Sequence, residues 1–375
     1  MFRRARNIIY RIRVFSDTDE LKERKMGKYL LKRLFYVVIV FFVLSFLMYA
    51  IFDAIPFDRA YALRDQKKNT FNKQDPDYNA KLDQLYHGYR VELGYEDRDG
   101  NEINIVERWL AWLGIMPIDG EFRGVFQGEF GNSYGSAIKP VLEVIKEPMK
   151  TTILINIFAT ILALGITIPL GIFCAVKKGS KRDTAVQVGS IIGYSMPTFI
   201  VAILFIFLFA VIIPIFPVSG MNTPGSPYTG ARAILDRLYY MGLPLIVMTF
   251  CSLGGMTRYV RASMIEALSM DCVRTARAKG LKERSVIYSH AWRNALIPIV
   301  TLVVGWFLGI FSGSVMIENI FAIEGMGKLY INSLTGNDYN VVLAIQMFYI
   351  MIALLGNLLI DILYGIIDPR IRVNK

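Results

Sequence analysis

The residue types that most often carry out chemistry are sparse in this sequence of 375 residues. Each of its two histidines, His87 and His290, lacks a second His or Cys at the spacing of a catalytic metal site. The sequence contains no phosphate-binding loop that ends in Gly-Lys-Ser or Gly-Lys-Thr. Its one Gly-x-Ser-x-Gly match, Gly131–Gly135, lies in a glycine-rich loop without the strand-to-helix context that a nucleophile elbow requires. We therefore predict that the chain is not an enzyme and has no catalytic residues, no metal site and no cofactor of its own.

The composition places most of the chain in a membrane. Hydrophobic residues make up 54% of the sequence and charged residues only 19%, which is more apolar side chain than a soluble interior of this size would bury. A membrane-spanning helix needs about 20 mainly apolar residues in a row. Six stretches meet this requirement, namely 34–52, 152–176, 186–213, 242–260, 296–317 and 341–366. The prediction is an all-α integral membrane protein with six transmembrane helices.

The distribution of charge predicts the orientation. If both termini are cytoplasmic, Lys and Arg far outnumber Asp and Glu in the segments on that side, and acidic residues are in excess on the other side. This asymmetry is the positive-inside pattern of a bacterial-type plasma membrane protein. It accounts for the net charge of +11 without a nucleic-acid partner.

These boundaries give the predicted organisation of the chain. The predicted regions are a cytoplasmic extension (1–28), a first transmembrane helix (29–52), an extracytoplasmic cap (53–150), a five-helix core (151–366) with a cytoplasmic loop (261–295), and a cytoplasmic tail (367–375). The extension has two interpretations: an amphipathic helix along the inner membrane face, or a topology signal with a disordered tail. Cys174, Cys251 and Cys272 are expected to be free, because none faces the outside, where a disulfide would persist.

The cap is predicted to have two different halves. Its polar run, 65–83, has too few apolar residues to build a core. A later apolar run, 109–115, is followed by Gly124, Gly128, Gly131 and Gly135. We expect a small cap packed on the outer mouth of the helices.

Three features within the apolar stretches are candidates for the transport pathway. Ser195, Met196 and Pro197 lie in the middle of the third stretch, where proline kinks a helix, and such breaks can line cavities or be simple packing kinks. Gly305, Gly309 and Gly313 recur every four residues and are predicted to share one helix face, either as a close helix contact or as a pore wall. Asp361 is the single acidic residue within a stretch, and it is interpreted either as a polar contact near the interface or as a proton relay.

The loop 261–295 is predicted to contain a short helix that docks on a partner. Asp271 suits the amino-terminal cap and Gly280 the left-handed position that ends a helix. A helix of about two turns is marginal alone in water, so we expect a partner to pack on its apolar Val273 and Ala276 and on its charged residues, Arg274, Arg277 and Lys279. A second helix is expected over about 282–294. The alternative is a basic loop on membrane lipid headgroups.

This loop resembles the coupling motif of ABC importer permeases of the peptide/nickel group, of the oligopeptide/dipeptide permease B type. The resemblance covers about residues 29–372 and is most specific in the loop and in the carboxyl-terminal ending. The matching residues are Gly131, Ser133, Val141, Thr152, Pro169–Gly171, Arg274–Gly280, His290, Arg293–Pro298, Gly313, Glu318, Phe321, Gly325, Gly327, Asp338–Tyr339, Asp361, Tyr364 and Asp368–Arg372.

The resemblance implies the fold, the partners and the function. A type I ABC importer permease would pair with a homologous second permease. Its short helix would dock into one or two cytoplasmic ATP-binding subunits, which bind ATP and Mg. An extracytoplasmic binding lipoprotein would deliver peptide to it. Glu324 stands where the family usually has proline, and Cys272 where an aromatic residue is common. The alternatives are nickel or another small solute as cargo, an ion-coupled carrier, and a membrane scaffold that presents 53–150.

Overall fold

The structure is a computed structural model that describes residues 31–117, 120–134 and 138–367. The predicted extension 1–28 and the residues after 367 lie outside the described residues. The elements are α1 (Leu31–Asp53), α2 (Arg59–Lys67), α3 (Tyr78–Glu92), α4 (Ile105–Leu113), β1 (Asn132–Ser133), β2 (Lys139–Pro140), α5 (Val141–Val176), α6 (Lys181–Ser195), α7 (Thr198–Ile206), α8 (Ala231–Ser269), α9 (Asp271–Ala278), α10 (Glu283–Ser285), α11 (Trp292–Gly309), α12 (Val315–Ile320), α13 (Met326–Thr335) and α14 (Tyr339–Ile367).

Short turns of other helix types interrupt this order. Two 3-10 turns cover Lys68–Thr70 and Val125–Gln127, and two π-helical turns cover Phe207–Ile212 and Val286–Ala291. The strands β1 and β2 form a two-residue antiparallel pair in which Asn132 faces Pro140. The described part of the chain is therefore almost wholly helical.

The predicted six membrane spans correspond to helices of the structure. α1, α5, α8 and α14 are each long and apolar enough to cross a membrane, and two bent pairs raise the number to six if each pair is one span. α8 contains 39 residues, which is about 58 Å of helix and more than the ~30 Å hydrocarbon core requires. It extends beyond the predicted stretch 242–260 at both ends.

Both bent pairs contain a proline. α6 ends at Ser195 and α7 begins at Thr198, with a bend of 104° between them at Pro197. The second pair, Glu283–Leu296 and Pro298–Gly309, is bent by 61°. Proline has no N–H to donate and its ring crowds the preceding turn, so the predicted kink at Pro197 is confirmed.

The chain divides into two compact units. The first comprises Ile153–Ser312 with the described residues up to Phe41 and from Met351, and the second comprises Phe42–Thr152 with Gly313–Ile350. A large apolar cluster in the first unit joins α5, α8, α9, the second π-helical turn and α11. The predicted assignment of 53–150 to the outside of the membrane stays a prediction.

The described residues of the second unit include two apolar clusters. Val141, Met326 and Ile345 belong to a cluster that joins α5, α13 and α14. A smaller cluster between α2 and α3 contains Ala60, Leu63 and Tyr89. These residues flank the polar run 65–83, in which no residue with a described side chain is buried.

The cap is held to the start of α14 by hydrogen bonds. The Asp338 carboxylate accepts from Arg59 Nη2 at 3.1 Å and from Ser133 Oγ at 2.5 Å. Asn340 Nδ2 donates to the Asn132 carbonyl at 2.8 Å. All of these atoms lie in the second unit.

Glu318, a residue of the family motif, is buried in the same unit. Its carboxylate accepts from Thr152 Oγ1 at 3.0 Å and from the Lys328 N–H at 2.8 Å. Burial raises the pKa of Glu318, since desolvation disfavours the charged form. Hydrogen bonds offset part of that cost and tie α12 to α13 and to Thr152 of α5.

Two adjacent glycines of α8 generate a stability prediction. A Cβ on Gly254 would lie 2.4 Å from the Ser190 carbonyl oxygen and 2.5 Å from Tyr194 Cβ, whereas a Cβ on Gly255 would meet nothing within 4 Å. We expect Gly254→Ala to force α6 and α8 apart and to lower stability by roughly 1–3 kcal/mol, as overpacking does. Thermal unfolding in detergent measures this loss. Gly255→Ala is the matched control and should unfold no earlier than the parent chain; equal losses in both variants would contradict the close packing of α6 on α8.

Candidate functional site

The short helix α9 lies where the sequence predicts it. It covers Asp271–Ala278, and Gly280 has a left-handed φ of 76° after the last helical residue. The prediction that Asp271 caps the helix is wrong: Met270 occupies the N-cap, and the structure shows no side-chain capping hydrogen bond there. Asp271 is instead the first helical residue, where its charge still complements the positive end of the helix dipole.

The apolar face of α9 packs inside the chain. Val273 is 0% exposed and Ala276 is 4% exposed, in one cluster with α8 and with Val286, Ile287 and Ala291. The expectation that Val273 and Ala276 face a partner is therefore wrong. The physical reason is that an isolated two-turn helix is unstable in water, and the chain itself supplies the packing that stabilises it.

The opposite face of α9 is exposed and charged. Asp271, Cys272, Arg274, Lys279 and Gly280 are exposed. We name these residues the docking face. Arg274 contacts Asp271 at 3.5 Å, a weak, solvent-screened pair.

Arg277 is held more firmly than Arg274, because two hydrogen bonds join its guanidinium to one carboxylate of the chain. Arg277 Nη2 donates to Glu283 Oε1 at 2.7 Å, and Nε donates to Oε2 at 3.2 Å. The hydrogen bond to Glu283 raises the pKa of Arg277. Arg277 therefore closes the loop between α9 and α10 as well as contributing charge.

The segment after α9 is helical, as predicted, but not a plain α-helix. The predicted helix over about 282–294 consists of α10, the π-helical turn Val286–Ala291 and the start of α11. Val286, Ile287 and Ala291 are buried, as their predicted common side requires. Asn294 Nδ2 donates to the His290 carbonyl at 2.9 Å and contacts Cys272 Sγ at 3.5 Å, which connects α9 to the first turn of α11.

A buried ion pair joins α6 to α8 in the same unit. Arg261 Nε and Nη2 donate to the two carboxylate oxygens of Asp183, both at 2.8 Å. Asp183 is 1% exposed and also accepts from the Gly179 N–H and from Gln187. Sequence reasoning missed this pair, although Asp183 is the one acidic residue of the basic loop 177–185.

A cavity of about 230 Å³ lies between α5, α8 and α11. Small side chains and glycines form much of its wall, and none of its lining residues is charged. The lining residues are Asn156, Ala159, Thr160, Ala163, Met248, Ser252, Gly305, Trp306 and Gly309.

The pathway candidates fall into two groups. A Cβ on Gly305 or Gly309 would meet nothing within 4 Å, so in this chain these glycines leave open space instead of making a close helix contact. The expectation that Gly313 shares their helix face is wrong, because α11 ends at Gly309. A Cβ on Gly313 would lie 2.3 Å from the Gly327 nitrogen.

The remaining candidates lie away from the cavity. Ser195 and Pro197 are exposed and Met196 is partly exposed at the break between α6 and α7, and none of them lines the cavity. Asp361 pairs with Arg33 at 3.1 Å, which fits its interpretation as a polar contact.

The three cysteines are free, and no group of three metal-ligating side chains occurs among the described residues.

Asn156 is a cavity residue that sequence reasoning missed. Its Nδ2 donates to the carbonyls of Ile310 and Ser312, at 2.8 Å and 2.9 Å. Carbonyls after the end of a helix have no partner within it, so Asn156 satisfies them from α5. The signal was available, because Asn156 is the single amide side chain in the stretch 152–176.

Comparison with known proteins places the chain among transport permeases. The oligopeptide transport system permease protein AppB of Bacillus subtilis is 38% identical over 219 residues, 58% of this chain and 68% of that protein. OppB of Haemophilus influenzae is 37% identical over 215 residues, 57% and 66% of the two chains. The dipeptide transport system permease protein DppB of Escherichia coli K12 is 37% identical over 239 residues, 59% and 70%. The chain spans about two thirds of the length of these relatives.

A solved chain of the inward-facing MetNI methionine ABC transporter aligns with a TM-score of 0.46 and 14% sequence identity, over 60% of this chain and 98% of that chain. Residues 167–373 match the family model described as the binding-protein-dependent transport system inner membrane component. That range contains α9, the docking face and the helices α8 and α11 of the cavity. The chain therefore belongs to the family of binding-protein-dependent transport system inner membrane components.

Proposed function

We propose that this multi-pass membrane protein is the permease subunit of an ATP-driven importer of oligopeptides or dipeptides. The observation that carries the proposal is the geometry of α9, whose apolar face is fixed in the core while its docking face is exposed. A rigidly held helix with an exposed charged face suits the transmission of force from another subunit. The relatives named as oligopeptide and dipeptide permeases support peptide as the cargo.

Coupling to ATP follows from the packing of α9. A cytoplasmic ATP-binding subunit would take the docking face into a groove lined by carboxylates and backbone carbonyls, the groups that pair with Arg274 and Lys279. Displacement of α9 then passes through Val273 and Ala276 to α8 and α11, because close-packed interiors transmit strain. Each of these helices contributes to the wall of the cavity.

The proposed partners divide the work of the importer. An extracytoplasmic peptide-binding lipoprotein delivers cargo, a homologous second permease completes the pathway, and one or two cytoplasmic ATP-binding subunits bind ATP and Mg. This chain contributes no catalytic group and no cofactor. Both of its termini are proposed to lie in the cytoplasm, on the side of the docking face.

The cavity is the proposed contribution of this chain to the pathway. At about 230 Å³ it is smaller than the ~300–1,000 Å³ of typical ligand pockets, as expected if the second permease forms the other wall. Its uncharged lining suits peptides of differing side-chain charge. The amide of Asn156 and the hydroxyls of Thr160 and Ser252 are the polar groups that could meet a peptide backbone.

Charge reversal on the docking face tests the coupling. We expect Arg274→Glu with Lys279→Glu to abolish co-purification of the ATP-binding subunits and peptide uptake, because like charges then face the partner's carboxylates. The control reverses two exposed cations elsewhere, Lys177→Glu with Lys178→Glu, and should retain assembly. Normal assembly of the docking-face variant would overturn the proposed coupling surface.

Filling the cavity tests the pathway and the cargo. We expect Gly305→Leu with Gly309→Leu to reduce uptake of labelled di- and oligopeptides at least tenfold while assembly with the ATP-binding subunits is unchanged, because a Cβ at either position meets nothing within 4 Å and both positions line the cavity.

Gly165→Leu is the matched control, since a Cβ at this position of α5 also meets nothing within 4 Å and the residue lies outside the cavity lining. Full peptide uptake by the filled variant would remove the cavity from the pathway. Uptake of ⁶³Ni²⁺ chelates in place of peptides, by the parent chain, would contradict the cargo.

A further inference from the structure

The cap contains a short aromatic helix that packs along the membrane-spanning helix α1. Trp109 of α4 makes edge-on ring contacts with Phe42 and Phe46, at centroid distances of 6.1 and 5.3 Å, and Trp112 contacts Tyr49 at 5.6 Å. The indole N–H of Trp109 also donates to Ser45 Oγ at 3.3 Å. These atoms all lie in the second unit, so α4 has a defined position on α1.

The residues of α1 whose rings α4 contacts lie well before the last residue of α1, Asp53. Counted back from Asp53, the last residue of α1, Tyr49 lies about 6 Å, Phe46 about 10 Å and Phe42 about 16 Å along the helix axis at 1.5 Å per residue. The apolar stretch 34–52 of α1 measures about 28 Å, close to the ~30 Å of the hydrocarbon core. The ring of Trp109 is therefore at the depth of the acyl chains of the leaflet at the Asp53 end.

Two neighbouring side chains of α4 point in opposite directions along this axis. Arg108 donates two hydrogen bonds to the carboxylate of Asp53, at 2.7 and 2.8 Å, while Trp109 reaches down to Phe42. Tryptophan is enriched at membrane interfaces, and long cationic side chains extend from the apolar region towards water. The backbone of α4 thus lies at the interface, with its one basic side chain neutralised.

Exposed apolar side chains lie in the first turn of α4 and in the segment that follows its last residue. Val106 is 44% exposed, Ile115 40%, Met116 36% and Phe122 57%; we name these four residues the apolar patch. Gln127 Nε2 donates to the Gly114 carbonyl at 3.1 Å, and a Cβ on Gly124 would lie 2.5 Å from the Trp112 carbonyl. The segment that carries Phe122 is therefore held against the end of α4.

We propose that α4 and the apolar patch are embedded in lipid, in the leaflet at the Asp53 end of α1. The occupant is lipid because α4 packs on α1, a membrane-spanning helix with exposed apolar side chains, among them Val43 at 52% and Leu47 at 50%. An amphipathic interfacial helix typically buries its apolar face about 5–10 Å deep. In this role α4 fixes the depth and tilt of the whole cap on the membrane.

Spin-label accessibility in the assembled importer tests this proposal. Single cysteines replace Met116, Phe122, Val43 or Asp83 in a chain whose native cysteines are changed to alanine, and each labelled importer is placed in lipid nanodiscs. We expect oxygen, which concentrates in lipid, to collide with labels at Met116 and Phe122 as often as at Val43. The water-soluble Ni(II) complex should collide several-fold more often with a label at Asp83, which is exposed on α3, than with labels at Met116 and Phe122.

Each other result overturns the proposal. Frequent collision with the Ni(II) complex at Met116 and Phe122 would place the patch in water. Low collision with both reagents would show that another protein covers it. Retained peptide uptake by each labelled importer establishes that the variants are folded, and the lipid contact of α4 stands or falls independently of the cargo.

Discussion

The structure depends on how an eight-residue helix is held in place. α9 is too short to be stable by its own hydrogen bonds, and it is stable here because Val273 and Ala276 are buried in the core of the first unit. The same cluster contains Met264 and Ala267 of α8, Ala175 of α5 and Ile299 of α11. A force on α9 therefore acts on three long helices at once, which is the mechanical requirement for coupling a cytoplasmic event to a membrane cavity.

Close contacts make the rest of that unit rigid enough to transmit such a force. Gly254 lets α6 approach α8 to backbone distance, and the bidentate pair between Asp183 and Arg261 fixes the ends of the same two helices. A buried charge pair is costly to break, because either partner alone would be left without compensation. Against this rigid frame, Gly305 and Gly309 leave open space, so the cavity lies between elements that keep their shape.

The sequence predicted the elements well where one local rule dominates. Apolar length located the four long spanning helices and the two bent pairs, Pro197 marked the break between α6 and α7, and Gly280 marked the end of α9. Predictions failed where the outcome depended on tertiary packing. Periodicity cannot show that α11 ends at Gly309. Beyond that residue, Asn156 of α5 donates hydrogen bonds to the backbone carbonyls of Ile310 and Ser312. The prediction that Gly313 lies on the same helix face therefore failed.

The same limit applies to the site. An amphipathic α9 was predictable, but which of its faces the chain itself would cover was not, since the covering residues, Val286, Ile287 and Ala291, come from a π-helical turn with no clear sequence signal. The position of α4 on α1 was likewise hidden, because it depends on contacts between residues far apart in the sequence, such as Arg108 and Asp53, which are 55 positions apart. Membership of the transport family adds function to this picture without supplying these contacts.

The central claim is that the exposed face of α9 is the surface covered by the ATP-binding subunits. Cys272 lies on that face and is exposed, whereas Cys174 is buried and Cys251 is partly buried. The most direct measurement is the rate at which a bulky, water-soluble maleimide modifies Cys272, followed by mass spectrometry, in the chain alone and in the assembled importer. We expect rapid modification of the chain alone and strong protection after assembly; an unchanged rate would contradict the claim.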